Sequence, residues 1–205
     1  MNVLAIDTSV GVSVAILRSN GELTQSQAVD HGMQGELTAE LISQVVTESD
    51  LEISEITDVV VGVGPGPFTG LRVGLVTAAV FAHARNLPVH GICSLDAIAF
   101  DYAKPCLVVT DARRKELYWA RYEDKRIGEP QVSKPEDLLV QFPDSEFVGP
   151  GAQLYPDSIS GRLMELKAGS LAKLFVSGNA QLVDVSPMYL RKPDAVEPTT
   201  RKSVL

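Results

Sequence analysis

The 205-residue sequence predicts an α/β protein of two lobes, each a mixed β-sheet flanked by helices. Two observations predict it. Apolar runs of strand length alternate with segments of helical period, the pattern of layered sheet and helix. A short plan also recurs. VLAID at 3–7, a polar turn and VSVAIL return about 104 residues later as LVVTD, a turn and ELYWARY. A repeat of that length points to two related lobes, each opening with a hairpin. The boundary is expected near residue 100, giving lobes of 1–100 and 101–191 and a loose tail of 192–205.

The elements come in order along the chain. Two β-rich runs around the turn TSVG read as a hairpin, and ELTQSQAVD (22–30) as a third strand. Residues 35–49 switch to helical period, with Leu37, Leu41, Ile42 and Val45 on one face. DVVVGV (58–63) is an unbroken apolar run, as in a strand buried on both faces. TGLRVGLVTAAVFAHARN (69–86) is the next helix, with Thr69 placed to cap it. LPVHGIC (87–93) reads as a strand, and Ser94 as the cap of a helix running to about Tyr102. In the second half, SKPEDLLVQF and SLAKLFVSG read as helices and EFVGPG as a strand and turn. Pro193 and Pro198 among polar residues mark the tail.

Composition excludes several classes. Eighteen basic against 26 acidic residues give a net charge of −8, a poor field for binding nucleic acid alone. The N-terminal run lacks early basic residues and is interrupted by Asp7, so it is not a secretion signal. No run reaches the ~18 apolar residues that a membrane helix needs. Two cysteines, Cys93 and Cys106, make no disulfide framework and read as buried thiols of a cytoplasmic protein. The three histidines, His31, His83 and His90, include no i, i+4 pair, so no helix offers two imidazoles to one metal. Neither a metal nor a catalytic residue is expected; His31 reads as a solvated loop histidine.

The stretch GVGPGPFTGLRVG at 62–74 looks like a phosphate loop but departs from both common forms. TGLR stands where a P-loop has GK[ST], and the dinucleotide pattern meets Thr69 or Pro67 instead of its last glycine. Pro65 and Pro67 also remove two backbone donors. Gly64, Gly66 and Thr69, together with Asp7, Thr8 and Ser9 of the first turn, therefore read as degenerate nucleotide-type loops. A strand-end aspartate followed by hydroxyls is the arrangement that positions a metal phosphate in sugar-kinase enzymes. Here the matching second turn, Asp111-Ala112-Arg113-Arg114-Lys115, is bulky and basic. An independent ATP-dependent enzyme using Asp7 stays as the alternative.

Two features look outward. Gly70, Gly74, Ala78 and Ala82, spaced by four, form a ridge of small residues, and Leu71, Leu75, Val76, Val80 and Phe81 cover much of the remaining circumference. A helix with that much apolar surface predicts a protein–protein interface, shared with the helix carrying Leu37, Leu41 and Val45. Arg113, Arg114 and Lys115 form the only compact basic cluster, the candidate contact for phosphate or tRNA.

AIDTS, GxGPGxFTGLRxG, DARRKELYWA (111–120) and PMYLR (187–191) occur in that order. Over nearly the whole chain this resembles the TsaB family, also called YeaZ, of bacterial tRNA threonylcarbamoyladenosine biosynthesis subunits. The resemblance implies an actin-like and Hsp70-like (RNase H-like) fold. It implies a non-catalytic subunit of the complex that moves threonylcarbamoyl from its AMP adduct to N6 of adenosine 37, in tRNAs reading codons that begin with A. The implied partners are TsaD, the catalytic subunit, docked through the two helices of the first lobe, and TsaE, an ATPase. A homodimer through the same face is implied when TsaD is absent. Contact with tRNA would be indirect, and any ATP or ADP would sit at the complex interface. The family's older M22 peptidase label finds no metal pair or activated nucleophile in these residues.

Overall fold

The chain builds two mixed sheets of the same order. The computed structural model describes residues 1–28, 33–159 and 161–191. Strands β1 (Val3–Asp7), β2 (Val12–Leu17) and β3 (Leu23–Ala28) form an antiparallel meander, then β4 (Asp58–Gly62) and β5 (Val89–Ile92) add parallel to β1. β6 (Cys106–Asp111), β7 (Leu117–Tyr122) and β8 (Arg126–Ser133) repeat the meander, and the two-residue strands β9 (Phe147–Val148) and β10 (Gly161–Arg162) add parallel to β6. The order 3-2-1-4-5 in each lobe is that of the expected actin-like, RNase H-like sheet.

Alternation along the strands assigns the two faces of the first sheet. Leu4, Ile6, Val14, Val59 and Val61 pack beneath α1 (Gln34–Glu48) and α2 (Phe68–Arg85). Val3, Ala5, Ala15 and Val60 face the other way, against α5 (Ala168–Val176). Helix α3 (Ser94–Tyr102) lies between the lobes. Its Ala97 joins the core of the first sheet, while Leu95 and Ile98 join Val108, Ala120 and Val148 of the second. Leu138 of α4 (Pro135–Gln141) closes the far face of the second sheet, against Val109 and Trp119.

Three expectations change. The lobes are not contiguous in sequence, because α5 and β11 (Leu182–Val183) return to the first sheet. β11 pairs antiparallel with β5, so it covers an edge that would otherwise present unpaired donors. Thr69 is not the cap of α2. The helix starts at Phe68 with Pro67 at the cap position, and Thr69 is an exposed residue of the first turn. Pro67 suits that position because its fixed φ is compatible with helix entry and its carbonyl accepts the Leu71 N–H. Ser94 is likewise the first helical residue rather than a cap; its hydroxyl is engaged elsewhere. Residues 29–32, which hold the end of the expected third strand and His31, and the tail 192–205 lie outside the described residues.

Candidate functional site

Asp7 closes β1 at the point where the chain turns back into β2. Its Oδ1 accepts the backbone N–H of Ser9 at 2.8 Å and the Ser9 hydroxyl at 2.6 Å. Its Oδ2 accepts the Ser94 hydroxyl at 2.5 Å, and Ser94 Oγ in turn accepts the N–H of Gly64 at 3.0 Å. The carboxylate is thus tied to its own turn, to the glycine loop and to α3. It is 1% exposed. Burial pushes its carboxyl above the usual range, and the bonds from Ser9 and Ser94 pull it part of the way back.

The glycines of the loop are there because Asp7, Thr8 and Ser9 stand against them. A Cβ on Gly62 would fall 1.7 Å from Asp7 Oδ2. One on Gly66 would meet the Ser9 backbone at 2.8–2.9 Å. Gly64 has φ +102°, a left-handed conformation that favours glycine. Thr8 Oγ1 donates to the Gly70 carbonyl at 2.7 Å and accepts the Gly74 N–H at 3.2 Å, so the turn is bolted to α2 as well. The six residues that resemble degenerate nucleotide-type loops are therefore brought together, Thr69 excepted. They bond mainly to one another and to Ser94, whose position in the sequence suggests only a helix cap.

The cleft beside Asp7, walled by Ser13, Pro150, Leu163 and Leu166, encloses 210 Å³. That is below the ~300–1,000 Å³ of ordinary small-molecule sites. Among the described residues, no group of three or more His, Cys, Asp or Glu is placed to hold a metal ion. Cys93 and Cys106 are both buried, and burial pushes the Cys106 thiol up to about 12.

The small-residue ridge of α2 faces inward. Gly70, Leu71, Gly74, Ala78 and Ala82 are all buried within the chain, the two glycines against Thr8 and, for Gly70, Gln34 at the start of α1. Leu41 and Val45 are core residues too, and Leu37 is half-buried against the same cluster. The large apolar residues that α2 leaves in solvent are Phe68 in its first turn and, further along, Val76, 58% exposed, and Val80, 62% exposed. With Ala39, Ile42 and Val46 of α1, and with Ile53, the two valines line an open, largely apolar groove of 630 Å³ between the two helices. The two helices expected to share an interface do have an apolar groove between them, but the side chains that face outward are the ones between the ridge positions.

Arg113, Arg114 and Lys115 form the exposed turn between β6 and β7, all three with φ between 53° and 61°. The Arg113 N–H donates to Asp111 Oδ1 at 2.8 Å, as the Ser9 N–H does to Asp7. The repeat seen in the sequence is therefore also a repeat of the strand-end aspartate's bond to the N–H two residues on, although only the second turn runs through positive φ. Arg191, from the PMYLR segment, pairs with Glu116 at the foot of this turn.

Known proteins fit this geometry. The family described as "TsaD: tRNA N6-adenosine threonylcarbamoyltransferase" matches residues 35–195. An uncharacterized Mycobacterium leprae protein is 39% identical over 94% of this chain, which spans 55% of that relative's length. An uncharacterized Mycobacterium bovis protein is 38% identical over 94% of this chain and 93% of its own. The Escherichia coli protein named tRNA threonylcarbamoyladenosine biosynthesis protein TsaB is 27% identical over 93% of this chain and 95% of its own. Among solved structures, a protein described as similar to peptidase YeaZ from Pseudomonas aeruginosa superposes with a TM-score of 0.78 at 25% identity, covering 93% of this chain and 99% of that one. YeaZ from the same organism gives a TM-score of 0.76 at 24% identity, over 92% and 99%. The chain belongs to the TsaD-type tRNA threonylcarbamoyltransferase family, and within it to the TsaB (YeaZ) group.

Proposed function

We propose that this chain is a non-catalytic subunit in tRNA threonylcarbamoyladenosine biosynthesis, which docks on and stabilises the catalytic TsaD protein in the cytoplasm. The observation that carries the reading is the exposed apolar groove between α1 and α2, centred on Val76 and Val80. Groups of that size and exposure mark a surface covered in an assembly. The name of the Escherichia coli relative supplies the pathway. TsaE joins the pair, tRNA is held mainly by the partners, and any ATP or ADP lies at an interface between subunits. Alone, the chain dimerises through the same groove.

The sugar-kinase alternative needs Asp7 to face a metal phosphate. Its carboxylate is instead enclosed by Ser9, Ser94 and the Gly62 backbone, in a cleft smaller than a nucleotide site. The word peptidase in one relative's description asks for an activated nucleophile. Ser94, the hydroxyl bonded to the buried aspartate, is itself fully buried and out of a substrate's reach.

Calorimetry with purified TsaD tests the docking. The chain is expected to bind, and the double variant Val76→Asp, Val80→Asp to bind at least ~100-fold more weakly. Burying one valine is worth about 1.5–3 kcal/mol, and a buried unpaired carboxylate adds to the loss. Equal affinity of the double variant would rule this face out.

A further inference from the structure

A further cavity, of 450 Å³, opens beside α3. Its walls come from the end of α3, the β7–β8 turn and the segment after α5. At its floor is an ion pair between Asp96 and Arg126, each side chain only 6% exposed. Arg126 Nη1 donates to both Asp96 oxygens, at 2.9 and 3.1 Å, and the Tyr122 hydroxyl donates to Oδ1 at 2.6 Å. Nε and Nη2 of the same guanidinium carry no hydrogen bond among the described residues. They are not sealed off either, since the one closed-off polar side-chain atom without a partner among the described residues is Thr110 Oγ1. Arg126 is one of the residues that line the cavity.

The remainder of the cavity has two characters. Ala99, Phe100 and Leu174 give an apolar wall. The rim carries Lys104 and Lys125 with Asp124 and with Glu123, which is paired with Arg121 at 2.9 Å. Lys104, Lys125 and Arg126 thus balance Asp96, Glu123 and Asp124 around the cavity, so it is locally neutral in a chain of net −8. A planar fork with free donors, beside an apolar wall and with two lysines on the rim, is what a carboxylate or phosphate on a hydrophobic body requires.

We propose that this cavity is a binding site for a small organic anion, its acidic group on the free donors of Arg126 and its apolar body against Phe100 and Leu174. The site is separate from the α1–α2 groove, so it neither depends on the docking reading nor falls with it. It would let a small metabolite bias the contact between the lobes, because Arg126 belongs to the second sheet and Asp96 to the helix between them.

Amide NMR on the full chain, titrated with phenyl phosphate, benzoate and the uncharged benzamide, tests it. Both anions are expected to shift Phe100, Lys125, Arg126 and Asn179 with millimolar or tighter affinity, and benzamide to bind at least tenfold more weakly. Ala99→Phe fills the apolar half without touching the ion pair and is expected to abolish the shifts. Lys125→Glu, on the exposed rim, is expected to weaken them several-fold. No shifts from either anion at 10 mM, equal binding of benzamide, or shifts that survive Ala99→Phe would each overturn the proposal.

Discussion

Asp7 is the residue whose environment says most about what the chain does. Burial raises its carboxyl above the ordinary 3.8, so the folded chain favours the neutral form more than the unfolded chain does. That contribution to stability is fully present below the ordinary value and is lost as pH rises through the folded-state value. Asp7→Asn removes the cost while keeping an oxygen for Ser9 and giving Ser94 a donor. Its thermal midpoint is expected to exceed the parent's at pH 7, with the gap closing as pH falls toward about 4. A midpoint below the parent's at pH 7 would show that the carboxylate itself holds the turn. Gly74 makes a second test. In an ordinary helix interior, Gly→Ala gains about 1 kcal/mol. Here the new Cβ would stand 2.3 Å from Thr8 Oγ1, which is fixed by two hydrogen bonds. Overpacking of that kind costs about 1–3 kcal/mol, so Gly74→Ala is expected to be net destabilising in a denaturant melt. An unchanged or raised midpoint would mean that the turn and α2 are free to separate.

At the scale of elements, α2 shows what a sequence pattern carries and what it leaves out. Four small residues at a spacing of four do signal close approach, and close approach is found. The pattern does not name what approaches. The thing that meets Gly70 and Gly74 is the Thr8 turn, 62 to 66 residues earlier in the chain, and no local rule connects the two. The apolar residues left over, Val76 and Val80, are visible in the sequence as part of a surplus of hydrophobic surface; only packing shows that they are the surplus. Ser94 escapes notice for a related reason. A serine beginning a helix is an ordinary cap by local rules, and its bond to Asp7 spans 87 residues. Asp96 and Arg126, 30 residues apart on α3 and β8, leave no sequence signal of pairing. Because the groove runs between two helices and makes no core contact through Val76 or Val80, the two aspartate substitutions there are expected to leave the thermal midpoint within about 2 °C of the parent. A large drop would mean that the groove is part of the fold rather than a docking face.

For the whole molecule, the repeated Asp-ended hairpin is enough to foresee two lobes of one design, since Asp7 and Asp111 end equivalent strands and cap equivalent turns. The division at residue 100 is legible only in part. The return of α5 and β11 to the first sheet depends on which sheet edge and face stood open, a tertiary fact that the periodicity of SLAKLFVSG does not hold. The molecule as a whole has a first turn that is knitted into the glycine loop and an exposed apolar surface made by a helix pair. The central claim is that this surface serves assembly of a tRNA-modifying complex. The direct measurement is the threonylcarbamoyladenosine content of tRNA incubated with TsaD, TsaE, the threonylcarbamoyl-AMP synthase, ATP, threonine and bicarbonate, with or without this chain. Modification is expected only when the chain is present, to persist with Asp7→Asn, and to fall below about a tenth with Val76→Asp, Val80→Asp. Full modification without the chain, or with the double variant, would contradict the account.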